Sequence, residues 1–416
     1  MKLMIGLGPL ERAAFIFFSL FALLQCLSIA IANIAMGIAV FFIALKIVIS
    51  IKHGDFSPIL LEKFKQNKVL LFFLFLFWSV ICLSALFSGD PQRGLRIFFG
   101  QFIYRTFPLL IVLLLFPKPK YAFFLLFLSI LSCILDVIGG LFLHGFSTRL
   151  KGFYGHPMTL AGFLTISIPI IYCCLINWRE KGGRILTCAC FFIISFIGLL
   201  LNSTRGAWLA LAITIPIVTF LYDRSFKKII FLLFFAVATS LVFVSSPKLQ
   251  SRAESITSTT FQSNTERVLM WESAYQMFKD HPIFGVGLGQ YAKRYLNEYK
   301  SPQAKEQQNH SHNNFMQMLA ENGILGFAGF ISLFGYILCS SLKGAIKEHS
   351  KYSVLIFGST FALLLQGMTE YNFGNSAVIK FYWTVLGCLL ILQNSQRAKT
   401  SSDAVSYPHS SLGNLS

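Results

Sequence analysis

Four stretches of the sequence carry residues capable of anion or acid–base chemistry, and each borders a long apolar run. The first reads Ser203-Thr204-Arg205-Gly206-Ala207-Trp208. A guanidinium between two apolar runs is either an interfacial cation, with Trp208 as its aromatic anchor, or a fork that holds a phosphate. In the second, Ser263 and Glu266 fit an S-x-x-E capping box, which predicts a helix start. Val268, Trp271, Tyr275 and Phe278 then share one face, and His281-Pro282 ends the helix. Arg267 would sit in its first turn, where the helix dipole opposes a cation. It either pairs with Glu266 in solvent or waits for an anion. The third stretch, Gly285-Val286-Gly287-Leu288-Gly289, lacks dinucleotide-fingerprint spacing and reads as a plain loop. The fourth, His310-Ser311-His312-Asn313-Asn314, precedes another apolar run. An imidazole at a helix N-terminus suits a general base. The polar run 305–309 implies that His310 is mobile, which leaves His312 as the base. No third ligand stands at i+4 spacing, so no metal is expected.

These stretches need elements to hold them. The chain has 416 residues, 55% of them hydrophobic, including 45 Phe, with a mean hydropathy of +0.66. Only 12% is charged, against roughly 25% in globular domains, which excludes an ordinary soluble enzyme, a coiled coil or a disordered chain. The net charge of +18 is spread in short clusters between apolar runs, unlike a nucleic-acid binder. All nine Cys fall inside apolar runs, so no disulfide framework is expected. Apolar segments near 13–32, 34–51, 69–87, 97–116, 121–143, 158–176, 185–201, 206–222, 229–246, 322–342, 352–369 and 377–392 predict an all-α polytopic membrane protein with about twelve spans. The first reads as a retained signal-anchor.

The organisation expected is spans one to nine over 1–246, a large loop over 247–320, spans ten to twelve over 321–392 and a disordered tail over 393–416. Lys and Arg collect in alternate connections, among them 52–68, 177–184 and 343–351, which places both termini in the cytoplasm and the large loop outside. Lys46, Arg105, Asp136 and Lys380 are the main intramembrane charges, and most lie near span ends where snorkelling accounts for them. With no chain of ionised groups and no internal repeat, a flippase or transporter is the weaker class.

Taken in order, Ser203–Trp208, Arg267 with Trp271, Gly285–Gly289, and His312-Asn313 with Glu321-Asn322-Gly323 resemble the O-antigen ligase/polymerase superfamily. The resemblance covers roughly residues 150–345, and in length and loop size it is to the lipopolysaccharide O-antigen ligases. It implies a GT-C-like glycosyltransferase of the bacterial inner membrane, active on the periplasmic face, with short helices in its large loop. The implied donor is O-antigen on undecaprenyl diphosphate, the acceptor lipid A–core, and no metal or other cofactor is needed. By the same resemblance Arg205 and Arg267 engage the diphosphate, and His312 completes the catalytic set. Asn313, Trp271, His156 (in Tyr154-Gly155-His156-Pro157) and Glu370 are substrate contacts, with Asn372 near them. Wzy-type O-antigen polymerases and O-linked protein oligosaccharyltransferases stay open as alternatives, because the acceptor pocket is not legible.

Overall fold

The computed structural model describes residues 2–4, 6–53, 65–145, 149–176, 183–222, 244–256 and 261–405, with scattered positions between 225 and 240. Every regular element among the described residues is helical. The principal helices are α1 (Pro9–Leu24), α2 (Ile29–Lys52), α3 (Lys68–Leu86), α4 (Pro91–Leu115), α5 (Pro119–His144), α6 (Pro157–Leu175), α7 (Gly183–Asn202), α8 (Arg205–Tyr222), α9 (Pro247–Glu254), α10 (Gln262–Asp280), α11 (Asn314–Lys347), α12 (Lys351–Gln366) and α13 (Ser376–Val405). Nine of them, α2 to α8, α11 and α13, are long and apolar enough to cross a bilayer. This is a polytopic membrane protein. The shorter α1 and α12 pack within the same bundle, and the expected span at 229–246 falls half outside the described residues. The expected tail begins inside α13, which continues to Val405; residues 406–416 lie outside the described residues.

Helices α6 and α13 form the centre, with most of their residues buried, whereas α2 and α7 turn apolar side chains such as Ile34, Phe41, Leu186 and Ile193 outward. The snorkelling expectation fails for two of the four intramembrane charges. Asp136 and Lys380 are buried side chains bonded inside the bundle. Asp136 accepts the Phe153 N–H at 2.7 Å, and Lys380 donates to Asn33 while lying over the Tyr104 ring. Water is scarce at these depths, so an internal partner replaces it.

Three local devices gather the connections at one end of the bundle. Residues 149–157 lie over the end of α7 as a strap. Leu150 donates to the Leu201 carbonyl, the Asn202 amide donates to the carbonyls of Leu150 and Pro157, and Tyr154 donates to the Gln25 carbonyl. Next, Asn313 caps α11, its side-chain oxygen accepting the N–H groups of Phe315 and Met316. Asn314 then bonds the turn after α12 through the Gly367 carbonyl, the Asn372 side chain and the Phe373 N–H. Finally, α11 breaks at Gly323, whose φ of 59° is left-handed. The segment 282–287 fills the break: Ile324 donates to the Pro282 carbonyl, while Val286 and Gly287 donate to those of Ala320 and Glu321. A Cβ on Gly285 would stand 2.3 Å from the Glu321 backbone, so glycine there permits backbone-to-backbone packing. The Gly285–Gly289 run is thus a close-packing seam.

Candidate active site

Four guanidiniums meet where α7, α8, α9, α10 and the 149–157 strap come together. Arg205, the first residue of α8, donates to the Ser255 carbonyl at 2.5 Å, the Ser255 hydroxyl at 3.0 Å and Ser263 Oγ at 2.6 Å. Its guanidinium lies 4.7 Å from the Phe261 ring centroid, with Arg252 over the same ring at 5.9 Å. Arg252 also donates to the Ser203 carbonyl at 3.3 Å. Arg149 donates to the Asn202 carbonyl and to Thr204 Oγ1, both at 2.8 Å. Arg267 differs from the other three. Its Nε is buried and has no hydrogen-bond partner among the described residues.

Charge in this cluster is lopsided. Burial, and then the like charges of Arg252, Arg267 and Arg205, push the Arg149 pKa down to about 10, with Glu370 opposing. Burial also lowers the Arg267 pKa; Glu370 and Glu306 counter it, while Arg252 adds to it. A buried N–H without an acceptor costs about 1–3 kcal/mol, and like charges add to that. The arrangement becomes favourable when an anion with several oxygens enters it.

Beside the arginines, His312 Nδ1 lies 3.1 Å from Glu370 Oε2, and its Nε2 lies 3.2 Å from Gln308 Oε1. With Nδ1 donating to Glu370, Nε2 beside the Gln308 side-chain amide is the ring nitrogen left with a lone pair. Burial alone would raise the Glu370 pKa, but the His312 hydrogen bond and the charges of His312, His310 and Arg267 hold it below the ordinary value. A carboxylate that stays ionised beside an imidazole ring is able to stabilise an imidazolium there. His312 has φ 49° and Ser203 φ 54°, left-handed positions that cost such residues about 1–2 kcal/mol. Both flank the cluster, where packing holds them in place.

Several expected residues take unexpected places. His310 packs directly on His312: the ring centroids lie 4.2 Å apart, and its Nδ1 accepts the His312 N–H. Burial, then the His312 charge, drops its pKa to about 4. Asn313 has its side chain occupied by the α11 cap and by the Met368 carbonyl. Trp271 donates from Nε1 to the Ser311 carbonyl, steadying the segment that carries His312. His156 is exposed near His310. The capping box does not form: Ser263 accepts from Arg205, and Glu266 accepts the N–H groups of Lys305 and Glu306. Nor does α10 bury the expected stripe. Leu269, Met270, Ser273, Ala274 and Met277 face inward, while Val268 and Tyr275 are exposed.

The site also answers the metal question in a way local spacing did not. His310, His312 and Glu370 bring ligand atoms within 4.8 Å of one another, a grouping able to hold a metal ion. The third member comes from 58 residues away in sequence. Yet the His312 and His310 Nδ1 atoms already hold Glu370 and a backbone N–H, and four guanidiniums stand close by. That field favours an anion over a second cation.

Residues 190–331 match the O-antigen ligase family (Wzy_C). Arg205, Arg252, Arg267, His310 and His312 all fall inside the matched segment, while Arg149, His156 and Glu370 reach it from outside. Two relatives add context. A Rickettsia prowazekii protein, provisionally named a polysaccharide ligase, is 25% identical over 341 residues, covering 78% of this chain and 79% of its own. A Haemophilus influenzae protein without assigned function is 24% identical over 226 residues, 48% of this chain and 55% of its own length.

Arg149 and Arg252 were missed in the sequence. Arg149 carried the signal that marked Arg205, a basic residue in a connection that otherwise holds few, whereas Arg252 is one of eight basic residues in the large loop and had no such mark.

Proposed function

We propose that the protein is an inner-membrane glycosyltransferase that moves O-antigen from undecaprenyl diphosphate to a sugar hydroxyl of lipid A–core, with its site on the periplasmic face. The observation that carries this reading is the buried, unpartnered Nε of Arg267 within a cluster of four guanidiniums. A diphosphate leaving group supplies the missing acceptors, and its charge grows as the glycosidic bond breaks, so fixed cations act most strongly in the transition state. In the step itself, the acceptor O–H bond breaks and its proton passes to His312. The oxygen forms a bond to the anomeric carbon, and the carbon–oxygen bond to phosphorus breaks. Its electron pair leaves with undecaprenyl diphosphate, and attack from the opposite face inverts the sugar carbon. Glu370 holds the His312 ring and balances the imidazolium. The alternation of basic connections and the gathering of the site at one end of the bundle support both cytoplasmic termini and the periplasmic placement. Asn313 and Trp271 act as positioning residues, and His156 and Glu370 face the acceptor side.

Purified protein with a lipid-linked donor and a lipid A–core acceptor tests the reading. Arg267→Ala and Arg205→Ala should each lower kcat about 10²–10³-fold while the protein still inserts. Arg→Lys should rescue poorly, since a point charge lacks the fork. Normal transfer by both Ala variants would remove the arginines from the chemistry.

A further inference from the structure

A cavity of about 450 Å³ opens next to the His310–Glu370 pair. None of the four clustered arginines lines it, whereas His310 and Glu370 do, and Glu370 also faces Arg149 and Arg267, so the cavity and the cluster meet at this pair. Its chemistry is unlike that of the arginine cluster. Gln101 reaches it from a π-helical stretch of α4 over Phe98–Ile103, Asn309 from the segment before His310, and Tyr371 from the turn after α12. His156 and Arg93 stand at exposed parts of the lining. Among the described residues the side chains of Gln101, Asn309, Tyr371 and His156 make no hydrogen bond, although neighbouring Asn372 and Asn375 are fully engaged inside the protein. Open amides and a phenol donate and accept at short range without net charge, which matches sugar hydroxyls better than a diphosphate. The volume lies within the usual range for small-ligand sites.

We propose that this cavity seats the acceptor saccharide, with Gln101, Asn309 and Tyr371 reading its hydroxyls and presenting one of them to His312. The assignment rests on the transferase reading and deepens it: the two substrates meet at the His310–Glu370 pair. Residues that contact only the acceptor set specificity without touching the donor.

The test uses full-length protein in lipid nanodiscs, varying each substrate at saturation of the other. Gln101→Ala, Asn309→Ala and Tyr371→Phe should each raise the acceptor KM roughly tenfold, the equivalent of one lost hydrogen bond. The donor KM should hold, and the rate should recover at high acceptor. A rise in donor KM instead would place the donor glycan in the cavity, and no change in either KM would leave the cavity without a substrate; both overturn the assignment. The kcat of Arg205→Ala and Arg267→Ala with both substrates saturating separates this outcome from the larger reading. Wild-type kcat in both would sink the transferase proposal, whereas a lowered kcat there with an unchanged acceptor KM in the cavity variants would sink only the acceptor site.

Discussion

The two ends of the bundle treat charge in opposite ways. At one end, Glu348 accepts two hydrogen bonds from Arg397, at 2.6 and 3.2 Å, and Lys46 pairs with Glu11, with both pairs partly open to solvent. These two cations each have a carboxylate. At the other end, Glu370 faces both Arg149 and Arg267, Glu306 faces Arg267, Arg205 is set among like charges, and Arg267 Nε has no acceptor among the described residues. Pairing at a surface contributes little to stability, so its presence says little about function. Cations held together against their own repulsion are a cost, retained where a ligand offsets it.

Four substitutions break or sharpen that contrast. The largest effect belongs to Arg267→Met, which should abolish transfer yet leave the thermal midpoint unchanged or raise it by roughly 1–2 °C, because it removes an unpartnered buried donor. A large drop in midpoint, read by scanning fluorimetry, would make Arg267 structural. Next, Glu370→Gln should slow transfer between roughly ten- and a hundredfold by loosening His312, with donor binding retained. Arg149→Ala should weaken donor affinity by about tenfold, since the other three guanidiniums remain. The smallest effect is Arg397→Ala: below about 1 kcal/mol in stability and none on transfer. Loss of activity there would erase the distinction between the ends.

Acidity gives a further handle within the His310–His312–Glu370 group. The folded-state pKa of His310 is about 4, below the ordinary imidazole value, so its contribution to stability is complete above about 6.5. It is lost as pH falls from there toward 4, because the unfolded chain takes up the proton first. The carboxylate of Glu370, also held low, loses its stabilising contribution at more acid pH than a free glutamate titrates.

How much of this was legible in the sequence depended on the range of the interaction. Apolar runs announced the bundle because a bilayer demands long helices wherever it is crossed. Arg205 was visible because it breaks an apolar run on the side poor in cations, and His312 because it opens a helix. Ser263 and Glu266 misled because a four-residue pattern says nothing of competitors: an arginine 58 residues earlier and two amides about 40 residues later claim those side chains. The α10 face was misread for a related reason. Its aromatic stripe satisfies helical spacing, yet the small and flexible residues Met270, Ala274 and Met277 fit against Tyr291 and Tyr295. Glu370 completes the His310–His312 pair from beyond the loop, so no local spacing rule could assemble that trio.

The broken helix α11 has a consequence for how the site behaves in time. Its first turns belong to the large loop and its remainder to the bundle, and segment 282–287 laces the break with backbone bonds at Ile324, Val286 and Gly287. A loop stitched into a spanning helix in this way cannot swing as a lid without tearing main-chain bonds. The floor beneath His312 therefore keeps still while substrates come and go.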